Sequence, residues 1–307
     1  MRDKIRGFSF TKNFKFISII AALFVIVGLV GLLLLPFGVQ LFNFDIDFVG
    51  GTTMQFDLHT PVTAEITSDV AAVVQEVSGK PASSVTKAGD SGTQVVIKSL
   101  ELDSETRDAI FDALAEKYGM QDTDNLKSDY VSASVGSDLR NKAIKASLIA
   151  VALILVYITI RFEFRSGIAA IICLVHDLLV MLSMYIIFRI PFNMNFIAAA
   201  LTIFGYSINA TIVVFDRIRE NRKKEMGKKT TFAEIVDKSI HQTMSRSLNT
   251  TITTLIVMVC LLILGVSSIR NFAAPICVGV IAGCFSSVCL SGPLWNLFTP
   301  KNDVRTK

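Results

Sequence analysis

Six long apolar runs constrain this chain more than any other feature, near residues 16–37, 143–160, 167–188, 192–215, 248–265 and 272–298. Each is long enough, or nearly so, to cross about 30 Å of hydrocarbon as a helix, which takes about 20 residues. Helix is the form such runs must take, because lipid offers no partners for backbone amides and carbonyls. A mean hydropathy of +0.54 with 51% hydrophobic residues fits a membrane protein and exceeds what a soluble domain of this length carries. Pro275 and Pro293 are expected to kink or trim the last run. All five cysteines (Cys173, Cys260, Cys277, Cys284, Cys289) fall in apolar runs, so they read as packing residues rather than a disulfide framework.

Charge orients the spans. Arg2, Lys4, Arg6, Lys12 and Lys15 precede the first run and put the N-terminus in the cytoplasm. A cleavable signal peptide would have a shorter apolar core and a small-residue cleavage site. Leu32 to Leu35 and then Pro36 follow here, so the run is expected to remain as an anchor. Residues 40–138 then lie outside, with 17 of the 26 acids and 6 of the 30 bases. Arg161, Arg165, the basic stretch 216–246, Lys301, Arg305 and Lys307 fall inside. Arg140, Lys142 and Lys145 lie on the outer side against the rule, outweighed by the other loops. The expected organisation is a cytoplasmic N-terminus and first helix (1–39), an extracytoplasmic domain (40–139), and a five-helix membrane bundle (140–307). That bundle carries a cytoplasmic loop at 216–247 and a cytoplasmic C-terminus.

Within the outer segment, 52–58 alternates as a strand and 63–77 has helical spacing, with Thr63 as cap. Residues 83–87 and 94–98 read as strands joined by a Gly89-Asp90-Ser91-Gly92 turn. Residues 104–118 form a second helix and 126–135 a last strand. The order βαββαβ predicts a ferredoxin-like α+β sandwich between the first and second of six transmembrane helices. His59 stands alone there as a turn or surface residue, and the scattered acids read as a solvated face or as a polypeptide-contacting surface.

Polar side chains inside the runs are few, and such groups persist at bilayer depth where they line a pathway or bind a helix. Asp177 sits well inside the third run and is expected to be protonated, hydrated or paired. His176, adjacent in sequence, is expected to point elsewhere. Tyr206 and Asn209 lie three apart on the fourth run, beside Ser207. Arg246, Asn249, Thr250, Thr253 and Thr254 share one face of the fifth. Asp177, Asn209 and Arg246 are therefore expected to surround a polar core between spans three, four and five. The plainer alternatives are that Arg246 reaches lipid phosphate and that Asn and Thr join helices. Gly279, Gly283, Ser287 and Ser291 recur at intervals of four, which lets helices approach closely, within this bundle or against a partner.

Just past the first run stands Asp45-Ile46-Asp47-Phe48-Val49-Gly50-Gly51-Thr52. Paired glycines permit positive φ or close backbone approach, and Asp47 can bond amides at such a turn. The stretch from Asp47 to Thr52 resembles the DF-x-GGT signature of the SecD/SecF family. Phe204 to Asn209, followed by Val213-Val214-Phe215-Asp216-Arg217-Ile218-Arg219-Glu220-Asn221, is similar to that family's fourth-span motif. Ser245 to Thr251 resembles the start of its fifth span, and Val175-His176-Asp177 a third-span His-Asp. One span, an outer domain and five further spans match its layout across nearly the whole chain.

The resemblance implies a protein-export subunit of the resistance-nodulation-division superfamily in the bacterial cytoplasmic membrane. It implies work beside a SecD-like subunit on the Sec channel (SecYEG), with accessory subunits such as YajC and YidC, drawing on the proton motive force to move polypeptide. It also implies a coupling set, here Asp177, Arg246, Asn209, Tyr206 and Thr250. The family usually places Asp after the fourth-span Asn; this chain has Ala210, which cannot bind a proton. Coupling then relies on Asp177 and a partner's acids, or is weak, or the position was altered.

No phosphate loop, metal-ligand cluster or nucleophile–base pattern is present, so no enzyme, cofactor or metal is expected. Arg222-Lys223-Lys224 and Lys228-Lys229 read as lipid-facing rather than nucleic-acid-binding, since no aromatics interleave them. Residues 230–241 are expected to form an amphipathic helix along the inner surface, with Phe232, Ile235, Val236 and Ile240 on one side. A half-size exporter of small molecules or lipids, or an uncoupled structural subunit, are the rival expectations.

Overall fold

The apolar runs become helices at Phe14–Leu34, Ala133–Arg161, Phe164–Ile187, Met194–Lys224 and Phe232–Leu264, with a sixth built from Ser267–Phe285, Ser286–Leu290 and Ser291–Phe298. The computed structural model describes residues 8–37, 39, 41–89, 91–161, 163–225, 230–265 and 267–300. Arg2, Lys4, Arg6, Asp90, Lys228, Lys229, Lys301, Arg305 and Lys307 lie outside these residues. Among the described residues, six helices are long and apolar enough to cross a membrane, so this is a multi-pass membrane protein. The chain divides into two units, 44–145 and the remainder.

The membrane unit is layered. The sixth span is the most enclosed, with 67% of its apolar window buried, while the fifth has 11%. Small residues allow that enclosure. A Cβ on Gly279 would stand 2.5 Å from Ile203, and one on Gly28 of the first span 2.5 Å from the Leu179 carbonyl of the third. The four-residue stripe Gly279, Gly283, Ser287 and Ser291 is therefore used inside this bundle, all four being buried.

Two expectations need correction at the end of the bundle near Trp295. The stretch 216–246 is mostly helix: the fourth span continues through its charges to Lys224. The fifth begins at Phe232 behind a capping box, in which Thr231 Oγ1 accepts from Glu234 N and Glu234 Oε2 from Thr231 N. The expected amphipathic surface helix is thus the first turns of the fifth span. Its apolar side is buried, with Phe232 edge-on to Trp295 at 5.6 Å and Val236 and Ile240 against Gly292. Packing against an aromatic core removes more apolar surface than lying on an interface. Asn221 fastens the two extensions, donating to Ser239 Oγ at 2.8 Å and Gln242 Oε1 at 2.7 Å.

The sixth span is interrupted at Ser286–Leu290 by a π-turn, not at Pro275, which lies within its first helix. Pro293, in the first turn of the following helix, has no amide to donate back to Cys289, so the disturbance falls ahead of it.

In the smaller unit, β1 (Gly51–Asp57), α1 (Ala64–Ser78), β2 (Ser84–Ala88), β3 (Gln94–Ser99), α2 (Ser104–Tyr118) and β4 (Asn125–Val131) follow in order. The sheet is antiparallel with order β2-β3-β1-β4. Alternation in β1 and β3 sends Met54, Phe56, Val95 and Ile97 to a core closed by Val70, Val74, Ile110 and Leu114 of the helices. Thr63 and Asp103 cap the helices, accepting from Ile66 N and Thr106 N. The strand expected over 126–135 ends at Val131, because the helix of the second span begins at Ala133. His59 is not alone: its Nε2 stands 2.9 Å from Asp124, and its backbone amide donates to Asp57 at 3.0 Å. That amide holds the Asp57 carboxyl below its ordinary range.

Candidate functional site

Asp177 is 1% exposed and lies near the middle of the helix Phe164–Ile187. Its carboxylate is filled by three side chains. Ser207 of the fourth span donates to Oδ2 at 2.5 Å, Ser286 of the sixth donates to the same oxygen at 2.9 Å, and His176 Nδ1 meets Oδ1 at 2.9 Å. Cys173, one turn earlier, points its thiol at the Ser286 carbonyl. The polar core therefore joins spans three, four and six. His176 does not point elsewhere: its χ angles bring the ring back onto its neighbour's carboxylate. Ser286 had no signal in the sequence, since a serine in an apolar run usually bonds its own helix.

Asn209 and Arg246 are exposed, as are Asn249, Thr250 and Thr253. They do not meet Asp177. The inward stripe of the fifth span is one residue further along, at Ser239, Thr243, Ser247 and Thr251, all buried. Adjacent residues on a helix lie about 100° apart, so a one-residue shift turns a stripe from lipid to bundle. Tyr206 is half-buried and donates to Thr251 Oγ1 at 3.0 Å, tying spans four and five. Thr250 is bonded to its own helix, donating to the carbonyls of Arg246 and Ser247. Ala210 is half-buried beside the outward face.

The Asp45–Thr52 motif is a tight entry to the smaller unit. Asp45 caps a single-turn helix, Ile46–Val49, and its Oδ1 also accepts from Lys98 at 2.7 Å; Asp47 lies in that turn. Gly50 and Gly51 have φ of 83° and 140°, and a Cβ would stand 2.6 Å from Ala133 or the Ser99 carbonyl. Only glycine fits both positions. Thr52 is fully buried and accepts from Leu102 N. The glycines shape the backbone here, and Asp45 and Thr52 hold it in place.

Fold and site together define a multi-pass membrane protein in which two serines and a histidine close on one buried acid, with a compact α+β insertion after the first of the six candidate spans among the described residues. Residues 110–301 match the model of the C-terminal part of the protein export membrane proteins SecD and SecF. The chain is 38% identical to the protein translocase subunit SecF of Sebaldella termitidis, over 82% of this chain and 81% of that protein. It is 36% identical to the protein translocase subunit SecDF of Bacillus subtilis, over 93% of this chain but 37% of that longer one. The crystal structure of SecDF from Thermus thermophilus, a translocon-associated membrane protein, superposes with a TM-score of 0.81 at 32% identity, covering 94% of this chain and 38% of that one. The chain belongs to the SecD/SecF family of protein export membrane proteins.

Proposed function

We propose that this chain is the SecF-type accessory subunit of Sec protein export, working with a SecD-like partner under the proton motive force. The observation that carries the reading is the outward polar face of spans four and five. Asn209, Arg246, Asn249, Thr250 and Thr253 stand exposed, those of the fifth span beside the exposed apolar side chains Leu248, Ile252 and Ile256. Polar groups facing lipid are costly, and a partner's spans would cover them. The SecDF relative, more than twice as long, carries both parts in one chain and supports that arrangement.

In this reading the ferredoxin-like unit, ordered β2-β3-β1-β4, lies on the extracytoplasmic side, where its acidic surface meets emerging polypeptide. Both termini and the charged helix extensions at 216–247 lie in the cytoplasm, in a bacterial inner membrane, with basic residues against anionic lipid. The Sec channel SecYEG and accessory subunits such as YajC and YidC are the larger assembly. Asp177 carries the proton step, with Tyr206 tying spans four and five; Arg246, Asn209 and Thr250 act from the partner-facing side. A potential supplies about 2.3 kcal/mol per charge per 100 mV. The role is transport without catalysis.

Export into vesicles holding this chain and its SecD-like partner, with and without an imposed proton gradient, tests the reading. Stimulation by the gradient is expected with Ala210 in place and is lost in Asp177→Asn. A response confined to Ala210→Asp would make the chain as it stands an uncoupled structural subunit.

A further inference from the structure

The hydrogen bonding around Asp177 leaves one atom over. His176 is 8% exposed, its Nδ1 is taken by Asp177, and its Nε2 is buried with no hydrogen-bond partner among the described residues. The ring borders a cleft of about 430 Å³ between spans one, three and six, with Leu23, Phe24 and Val27 on one wall and Val278 on another. Phe285 covers the ring, its centroid 5.7 Å away and tilted by 32°. The next residue is Ser286, which holds Asp177 from the other side and starts the π-turn. Two adjacent residues of the sixth span thus cover the imidazole and bond the carboxylate.

The titratable groups around Asp177 are His176 and Cys173, both on its own helix. Spans four and six bring Ser207 and Ser286, neither ionisable, and the first span has no titratable side chain beyond Lys15 at its start. Any proton that reaches Asp177 through a titratable group therefore passes through one of these two. The Cys173 thiol is 0% exposed and donates to the Ser286 carbonyl, whereas the imidazole borders the cleft.

We infer that His176 is the port through which Asp177 exchanges its proton with water, that Phe285 is the gate over it, and that water reaches Nε2 through the apolar cleft between spans one, three and six only when this gate swings aside. Hydronium in the cleft gives a proton to Nε2, the Nδ1–H bond breaks, and an O–H bond forms on Asp177 Oδ1. Water is left behind, the imidazole ends as its other neutral tautomer, and the pair goes from one negative charge to none. Ser207 and Ser286 then bond a neutral acid, and hydrogen bonds to a charged acceptor are roughly twice as strong. Ser286 is loosened at the first residue of the π-turn, so proton uptake acts on the sixth span and on the gate beside it. This route lies apart from the outward polar face of spans four and five.

The inference rests on Asp177 taking part in coupling, and its test is independent of export. The full chain in lipid nanodiscs is brought to a pH where the carboxylic C=O infrared band removed by Asp177→Asn is present, and its shift is timed after transfer to D2O. His176→Gln, which keeps a hydrogen-bonding group but cannot relay, is expected to slow the shift about a hundredfold, the low end of what a placed proton-transfer group contributes. Phe285→Ala is expected to speed it. Equal rates in all three proteins, or no band that depends on Asp177, overturn the inference. Exchange through His176 with export indifferent to Asp177 sinks the coupling role and leaves the port. Export that needs Asp177, with exchange indifferent to His176, does the reverse.

Discussion

Two polar sets share the membrane unit and differ in who satisfies them. The Asp177 set draws every partner from this chain's own spans and sits within a few per cent of full burial. The Arg246 set faces outward, with Asn209 and Arg246 both exposed. A buried set filled from within serves the chain's own conformational states. An exposed set in hydrocarbon makes sense only with another surface laid on it. Burial separates the roles, since both sets mix ionisable groups with hydroxyls.

The contrast can be broken most severely at Asp177. Asp177→Leu strands Ser207, Ser286 and His176 and is expected to cost about 3–5 kcal/mol, whereas Asp177→Asn keeps one acceptor oxygen, enough for both serines, and is expected to cost much less. Thermal unfolding in detergent measures both, and equal losses would mean that the hydroxyl shell contributes nothing. Next is Gly279→Leu, which drives a side chain into Ile203 and Met181 where a Cβ alone stands 2.5 Å and 2.9 Å away. Overpacking of this kind costs about 1–3 kcal/mol, and an unchanged melting temperature would show the sixth span is not enclosed as described.

The smaller unit supplies a reference outside the bilayer. Lys117, and after it Tyr118, hold the Asp69 carboxyl below its ordinary range. Burial, and after it Asp69, pushes the Tyr118 phenol up to about 12. A depressed carboxyl lends stability above its unfolded pKa and loses it as pH falls through the folded value. A raised phenol lends stability below its unfolded pKa and loses it as pH rises through about 12. Protection from hydrogen exchange over α1 and α2, relative to the unfolded chain at the same pH, should therefore fall at both extremes, and Asp69→Asn should lessen the loss on the acid side. Smallest of all, Arg246→Ala and Asn209→Leu should shift the stability of this chain alone by no more than about 0.5 kcal/mol. Co-purification of a SecD-like partner should nonetheless fall. Large destabilisation with partner binding intact would move Arg246 into the buried class.

What could be read early follows from short-range rules. Alternation in β1 and β3, caps at Thr63 and Asp103, and the six apolar runs each depend on residues a turn apart. The family resemblance also rested on contiguous motifs. The polar core was harder. Asp177 stood out because an acid in an apolar run is conspicuous, but its partners lie 30 and 109 positions away. The stripe chosen on the fifth span included the most polar residues, and the bundle buried its neighbour.

The sequence by itself determined that this chain carries six runs apolar enough to cross a membrane, inserts an α+β unit after the first, and places an acid within the third. Local periodicity and the cost of unsatisfied backbone in lipid leave little choice in those matters. Only the tertiary structure decided which hydroxyls close on Asp177, that His176 turns onto it, and that Arg246 and Asn209 look outward. Those outcomes depend on the rotation of each helix about its axis. That rotation is set by the close approach of neighbouring spans at Gly28, Gly279 and Gly283 and by the packing around Trp295, which no single helix encodes.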